Sequence, residues 1–361
     1  MINQAKPDQT RPDQFSFREN NFDLLRLLAA FQVAFVHFVE HLRIEIYEPL
    51  FTLIKSVPGV PIFFVISGFL ISAAYQRAPD SRNYYQNRLL RIYPALWVCL
   101  AVSILSVILI APPESVGIKE GIAWLIAQIS IGQFYNPDFL RYYGLGALNG
   151  SLWTIPVELQ FYLALPVIFL ALRKLNNTNI SLIICMIALI AFNQFFIEAI
   201  KPLDTTISKL IGVSLLPYLY FFLLGMLMQQ NLAFVEKALK NKWYIWLVVF
   251  ITLSTITKHF DLPVTGNSIN PLSSMALCFL TISLAYSNTR MFSNLLRGND
   301  ISYGLYIYHG VVLNALIESR WLDGWLGMTT GLAASILLAI FSWRIVEKPA
   351  LRLKRNSIHR V

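Results

Sequence analysis

Charge is scarce in this chain. Only 14% of its 361 residues are Asp, Glu, Lys or Arg, where a soluble domain carries about a quarter. A disordered chain needs high charge to remain solvated, so disorder is excluded. With 56% hydrophobic residues, an ordinary soluble core is excluded as well. Cysteine is also rare. Cys99, Cys185 and Cys278 each lie inside an apolar run, without CxxC spacing or a neighbouring His. That argues against a disulfide framework and against a zinc site. The N-terminal MINQAKPDQTRPDQFSFREN lacks the apolar stretch of a secretion signal and is expected to form a flexible tail over 1–20. No segment outside the apolar runs is long enough for a second, soluble domain. The net charge of +9 would suggest nucleic acid in a soluble protein. Here the positions of the charges matter more than their sum, and no nucleic-acid partner is expected.

What the sequence does contain is a succession of spanning-length apolar segments. They fall at 22–39, 60–76, 92–111, 154–172, 180–197, 211–230, 242–258, 270–287, 301–317 and 325–346, each near the ~17–25 residues a bilayer requires. The predicted fold is all-α, a polytopic transmembrane bundle of about ten spans over 21–350, with a basic tail at 351–361. The longest connection, 112–153, contains GIAWLIAQISIGQF, which suits an interfacial amphipathic helix or a shallow extra helix. Lys and Arg set the orientation. With the N-terminus in the cytoplasm and alternating spans, 20 of the 29 fall on the cytoplasmic side and 8 outside, Arg26 lying within the first span. Both termini are therefore predicted to be cytoplasmic, which requires an even number of spans.

Ionisable groups inside hydrocarbon are costly and mark functional candidates. In NFDLLRLLAAFQVAFVHF, Arg26 and His37 are eleven residues apart, about three helical turns, so both face one side, ~16 Å apart along the axis. Asp23 lies one turn before Arg26 and suits a pair with it. The plainer reading is an anchoring Arg and a packing His. Ser67-Gly68, within VPIFFVISGFLIS, allows a close backbone approach, by itself ordinary small-residue packing. Arg88 and Arg91 share a helix face just before Pro94, on the same side of the membrane as Arg26. Such residues suit lipid phosphates or an anionic ligand. Glu158, in GSLWTIPVELQFYLALP, is placed at the depth of His37, where a carboxylate and an imidazole suit a base and its orienting partner. A salt bridge to a loop cation is the alternative for Glu158, and interfacial anchoring for Trp153 and Tyr162. His309, among Tyr303, Tyr306 and Tyr308, reads first as a satisfied core histidine. Glu347, in WRIVEKPALRLKR, reads as the end of the last helix.

Taken in order, these pieces resemble the acyltransferase 3 family of integral membrane acyltransferases. They are the Arg26–His37 pair, FFVISGFLI, the Arg88, Arg91 and Pro94 stretch, SLWTIPVELQFY, ISYGLYIYH and the terminal VEKP. Thr154-Ile155-Pro156 is a mild variation that leaves Glu158 in place. The resemblance covers about 22–350 and includes no added hydrolase domain after 350. It implies transfer of an acyl group, often acetyl, from cytoplasmic acyl-CoA to a hydroxyl of an envelope polysaccharide, a lipid-linked sugar or another glycoconjugate. It also implies residence in the cytoplasmic membrane of a bacterium, with acyl-CoA as donor and no permanently bound cofactor. On this reading Arg26, Arg88 and Arg91 meet the polyanionic donor. His37 acts as general base, Glu158 orients or stabilises it, and Ser67 or a Tyr hydroxyl supports the oxyanion. An acyl-His intermediate stays open. The competing class is a proton-coupled exporter of an envelope sugar. Such transporters show paired halves, and 1–180 and 181–361 carry no matching repeat. A membrane scaffold would leave Arg26, His37 and Glu158 buried without a task.

Overall fold

The computed structural model describes residues 19–77, 80–263, 265–296 and 298–354. The expected tails therefore lie largely outside the described residues. Among the described residues there is no strand, and the fold is all-α as predicted. Counting helices of seven residues or more gives α1 Phe22–His41, α2 Glu48–Lys55, α3 Gly59–Arg77, α4 Ser81–Ile110 and α5 Ile118–Ile129. Then come α6 Thr154–Leu172, α7 Thr178–Phe195, α8 Thr206–Gly212 and α9 Leu219–Gln230. The series closes with α10 Trp243–His259, α11 Pro271–Ala285, α12 Ser302–Ser319 and α13 Gly324–Ser342.

Among the described residues, six helical stretches are long and apolar enough to cross a membrane: Phe22–His41, Glu48–Arg77, Ser81–Ile110, Gly150–Leu172, Thr178–Leu203 and Gly324–Arg352. They coincide with six of the ten predicted spans. The other four predictions fall on α9, α10, α11 and α12. The first three are 12, 17 and 15 residues long, and at 1.5 Å per residue a 12-residue helix reaches only about 18 Å. The fourth, α12, has 18 residues but carries Ser302, His309, Asn314, Glu318 and Ser319. The helix α5, at 12 residues, is the short helix expected in 112–153. It exposes Ile118, Ile122, Ile126 and Ile129 and buries Trp124.

Apolar side chains face outward along much of the bundle, including Leu109, Val167, Ile187, Val248, Leu326 and Phe341. In lipid this surface gives helices no reason to associate, so close packing and internal hydrogen bonds must hold them. Close packing is clearest between α3 and α9. A Cβ on Gly68 would sit 2.1 Å from the Phe222 carbonyl oxygen, and one on Gly225 would sit 2.2 Å from that of Val65. The approach read from Ser67-Gly68 is thus real, and a second glycine on α9 completes it. The helix α3 also packs against α1 and α11, while α12 packs against α1, α4 and α13. The Asn21 amide donates to the Ser287 and Leu284 carbonyls at 2.7 and 3.0 Å, tying the start of α1 to the end of α11.

Glu347 is not a helix end. After α13 the helix continues through a wider turn at Trp343–Glu347 and on to Arg352. Glu347 is buried there, accepts from Ser342 Oγ at 3.0 Å and lies 3.9 Å from Arg91. Lys354 shares a cavity with Asp23 and Arg26. Both ends of the described chain therefore meet at one end of the bundle.

Candidate active site

Two polar regions hold the residues singled out from the sequence. The first is a cavity of about 410 Å³ at the end where α1 begins. Its lining includes Arg26, Arg77, Arg88, Arg91 and Lys354, facing Asp23, Glu158 and Asp300. Ser67, Thr154, Tyr162, Tyr303 and Tyr306 line it as well. Five of the six residues singled out for chemistry from the sequence (Arg26, Ser67, Arg88, Arg91 and Glu158) thus share one space.

Asp300, just ahead of α12, organises the arginines. It pairs with Arg91 and lies 3.5 Å from Arg26, which also meets Asp23 at 3.4 Å. Ser302 donates to the same carboxylate through its backbone N–H at 3.2 Å and through its hydroxyl. Burial alone would raise the Asp300 carboxyl. Arg91, then Arg26, then the Ser302 bonds outweigh it and hold the group below the usual carboxylate range.

Glu158 belongs to this cavity. Thr154, Glu158 and Tyr162 recur every four residues along one face of α6 and point the same way. The Glu158 carboxylate accepts from Ser67 Oγ on α3 at 3.1 Å and from the Tyr162 hydroxyl.

His37 occupies the second region, and its partner is His309 rather than Glu158. His37 Nδ1 lies 3.0 Å from His309 Nε2, and Ser151 Oγ lies 2.9 Å from the same nitrogen. His309 Nδ1 is 3.2 Å from the Leu305 carbonyl, one turn earlier on α12. A carbonyl only accepts, so the His309 proton sits on Nδ1 and Nε2 is the acceptor. His37 then donates from Nδ1, which leaves the lone pair on His37 Nε2. Ser151 can come so close because α12 has glycine at 310. A Cβ there would stand 2.2 Å from Asn149 Oδ1 and 3.1 Å from Ser151 Oγ. Sequence depth matched His37 with Glu158, but which helix each group faces depends on the packing of α1 on α12 and of α6 on α3.

One aromatic ring separates the two regions. Tyr306 lines the cavity, and its ring centroid is 5.9 Å from that of His309. Its hydroxyl is 2.9 Å from Thr154 Oγ1 and donates to the Ser151 carbonyl at 3.0 Å. Sequence reasoning missed Asp300, Ser151, Lys354 and the pairing of His309. The available signals were a carboxylate directly ahead of ISYGLYIYH and the serine that opens SLW. Among the described residues no group of His, Cys, Asp and Glu could hold a metal ion.

Comparison with known proteins gives a consistent result. The acyltransferase 3 family model, described as an acyltransferase domain, matches residues 19–344. The chain is 30% identical over 362 residues to "Nodulation protein 10" of Rhizobium leguminosarum bv. viciae, covering 96% of each protein. It is 26% identical over 341 residues to the "O-acetyl transferase" of Shigella phage Sf6, covering 92% of this chain and 96% of that one. No solved structure matches it.

Proposed function

The chain belongs to the acyltransferase 3 family, and we propose that it moves an acyl group, acetyl first, from cytoplasmic acyl-CoA to a hydroxyl of an envelope carbohydrate or glycoconjugate. It is an O-acyltransferase by family and by relatives. Donor, acceptor, residue roles and placement in the bacterial cytoplasmic membrane, with both termini inside, are our reading. The observation that carries it is the pairing of His37 Nδ1 with His309 Nε2 at 3.0 Å. A histidine held through one ring nitrogen presents the other as a base.

In the proposed reaction His37 Nε2 takes the proton of the acceptor hydroxyl as its oxygen attacks the thioester carbonyl. A C–O bond forms, the tetrahedral oxyanion collapses and the C–S bond breaks. The thiolate leaves, His37 returns the proton to it, and the products are an ester and CoA thiol. The arginine cavity suits the phosphates of the donor. Tyr306 lines this cavity and packs against His309, which suits a thioester seated near that ring. Ser67 and Tyr162 are hydroxyl donors beside Glu158 that suit support of the oxyanion. Proton-coupled export of a sugar would use similar groups but finds no support in the relatives' names.

The test is purified protein in nanodiscs with labelled acetyl-CoA and a hydroxyl acceptor, beside mass spectrometry of envelope glycans with and without the protein. Wild type should transfer label, and His37→Ala should lose turnover by about 10²–10⁴-fold with normal membrane insertion. A fully active His37→Ala protein would remove His37 from the chemistry.

A further inference from the structure

The cations of the cavity are not equivalent. Arg26 and Arg91 are already compensated, since Asp300 meets both, Asp23 adds a contact to Arg26 and Glu347 lies near Arg91. A ligand anion would compete with carboxylates fixed in place. Arg88 is different. It forms no ion pair among the described residues; its guanidinium lies 5.9 Å from the centre of the Tyr162 ring, and its Nε is buried without a hydrogen-bond partner. A buried guanidinium N–H facing a cavity without a partner is a costly arrangement unless an acceptor arrives. Lys354 has the same character. It lies just past the last helix, lines the same cavity and forms no ion pair among the described residues. Its ammonium is pushed down to about 8 by burial and by repulsion from Arg88, Arg91 and Arg26, with only Asp300 opposing. Five cations line the cavity against the carboxylates of Asp23, Glu158 and Asp300, an excess of positive charge among the described side chains.

We propose that Arg88 and Lys354 form the phosphate-binding pair of this cavity, while Arg26 and Arg91 are positioning residues clamped by Asp300. The ligand class is a phosphate or pyrophosphate group. On the acyl-CoA reading, on which this assignment of the ligand rests, the group belongs to the donor. Arg88 supplies a planar pair of donors, and Lys354 a point charge from the opposite chain end. Arg77, exposed at the end of α3, extends the same charge to the rim.

The experiment measures equilibrium binding of labelled CoA to the full chain in nanodiscs of zwitterionic lipid, with pyrophosphate as competitor. Arg88→Gln and Lys354→Gln should each weaken CoA by about tenfold or more, the loss expected for one charge-assisted contact. Each should also flatten the salt dependence, and Lys354→Arg should restore wild-type binding. Asp300→Asn should change kcat more than KM. Wild-type CoA affinity in either glutamine variant overturns the assignment. Native mass spectrometry separates the lipid source. If both variants keep CoA but lose co-purified anionic lipid, the pair holds a headgroup and the donor assignment falls. If the wild type ignores CoA but binds pyrophosphate through Arg88 and Lys354, the phosphate pair stands and the acyl-CoA reading fails. Melting temperatures near wild type establish that the variants are folded.

Discussion

At the end of the bundle where α1 begins, five cations face one cavity. On the other side of Tyr306, His37 and His309 face each other, and among the described residues their ring nitrogens bond to one another, to Ser151 and to a backbone carbonyl. The first region keeps more positive charge than its carboxylates offset. The second joins its two imidazoles to a serine and a backbone carbonyl without any ion pair and leaves the lone pair on His37 Nε2. Low dielectric explains both choices. It strengthens an uncompensated charge toward an arriving anion, and it lets hydrogen-bond direction, rather than charge, fix the imidazole pair.

The strongest way to break the contrast is to remove the carboxylate that compensates the first region. Asp300→Ala leaves Arg91 and Arg26 without their shared partner at a site where the Asp300 side chain is 8% exposed. Losing one member of a buried ion pair costs about 3–5 kcal/mol. Thermal unfolding in detergent should show that loss, and turnover should fall with it. An unchanged unfolding curve would mean that Asp300 does not hold the arginines.

The second region is tested by His309→Ala, which frees His37 Nδ1. The ring can then adopt the other tautomer and turn, so kcat should drop by about 10²-fold, at the lower end of general-base effects, with KM for the donor little changed. His309→Gln should recover part of the loss, because its amide oxygen accepts from Nδ1–H. If alanine and glutamine behave alike, His309 fills space and sets no tautomer.

The smallest effect sharpens the charge argument. Lys354 titrates near 8 in place of its ordinary 10.5. Anion affinity should therefore decline a few-fold as pH rises through 8 and the ammonium is lost. Stability of the ligand-free protein should move the other way. Between about 8 and 10.5 the unfolded chain holds the proton that the folded one has released, so folding gains as pH rises. Lys354→Arg should abolish both trends, read by CoA binding and by melting temperature from pH 7 to 10.

Much of this was legible in the sequence. Long apolar runs such as 92–111 and 154–172 announce their helices because length and hydropathy suffice in a membrane. The cavity arginines stood out because charge is so rare in the spans. Helices α9 and α11 fall short of a bilayer's thickness, and what holds α9 is contact with α3 through Gly225, which no local pattern reports. Asp300 was hidden because it sits in a connection, where a carboxylate is unremarked. Lys354 lies in the stretch that reads as a basic tail, with no pattern to bring it back to the bundle. Glu158 and His37 were paired by depth, but depth says nothing about rotation. Their true partners, Ser67 with Tyr162 and His309, follow from which helices touch.

We propose that one region holds the donor while the other removes the proton. This division is tested most directly by measuring acetyl-CoA affinity and single-turnover transfer on the same preparations of His37→Ala and Arg88→Gln. We expect His37→Ala to bind acetyl-CoA as wild type does and to transfer about 10²–10⁴-fold more slowly, and Arg88→Gln to bind about tenfold more weakly yet transfer at a near-normal rate once saturated. Unimpaired transfer by His37→Ala, or wild-type affinity in Arg88→Gln, would contradict it.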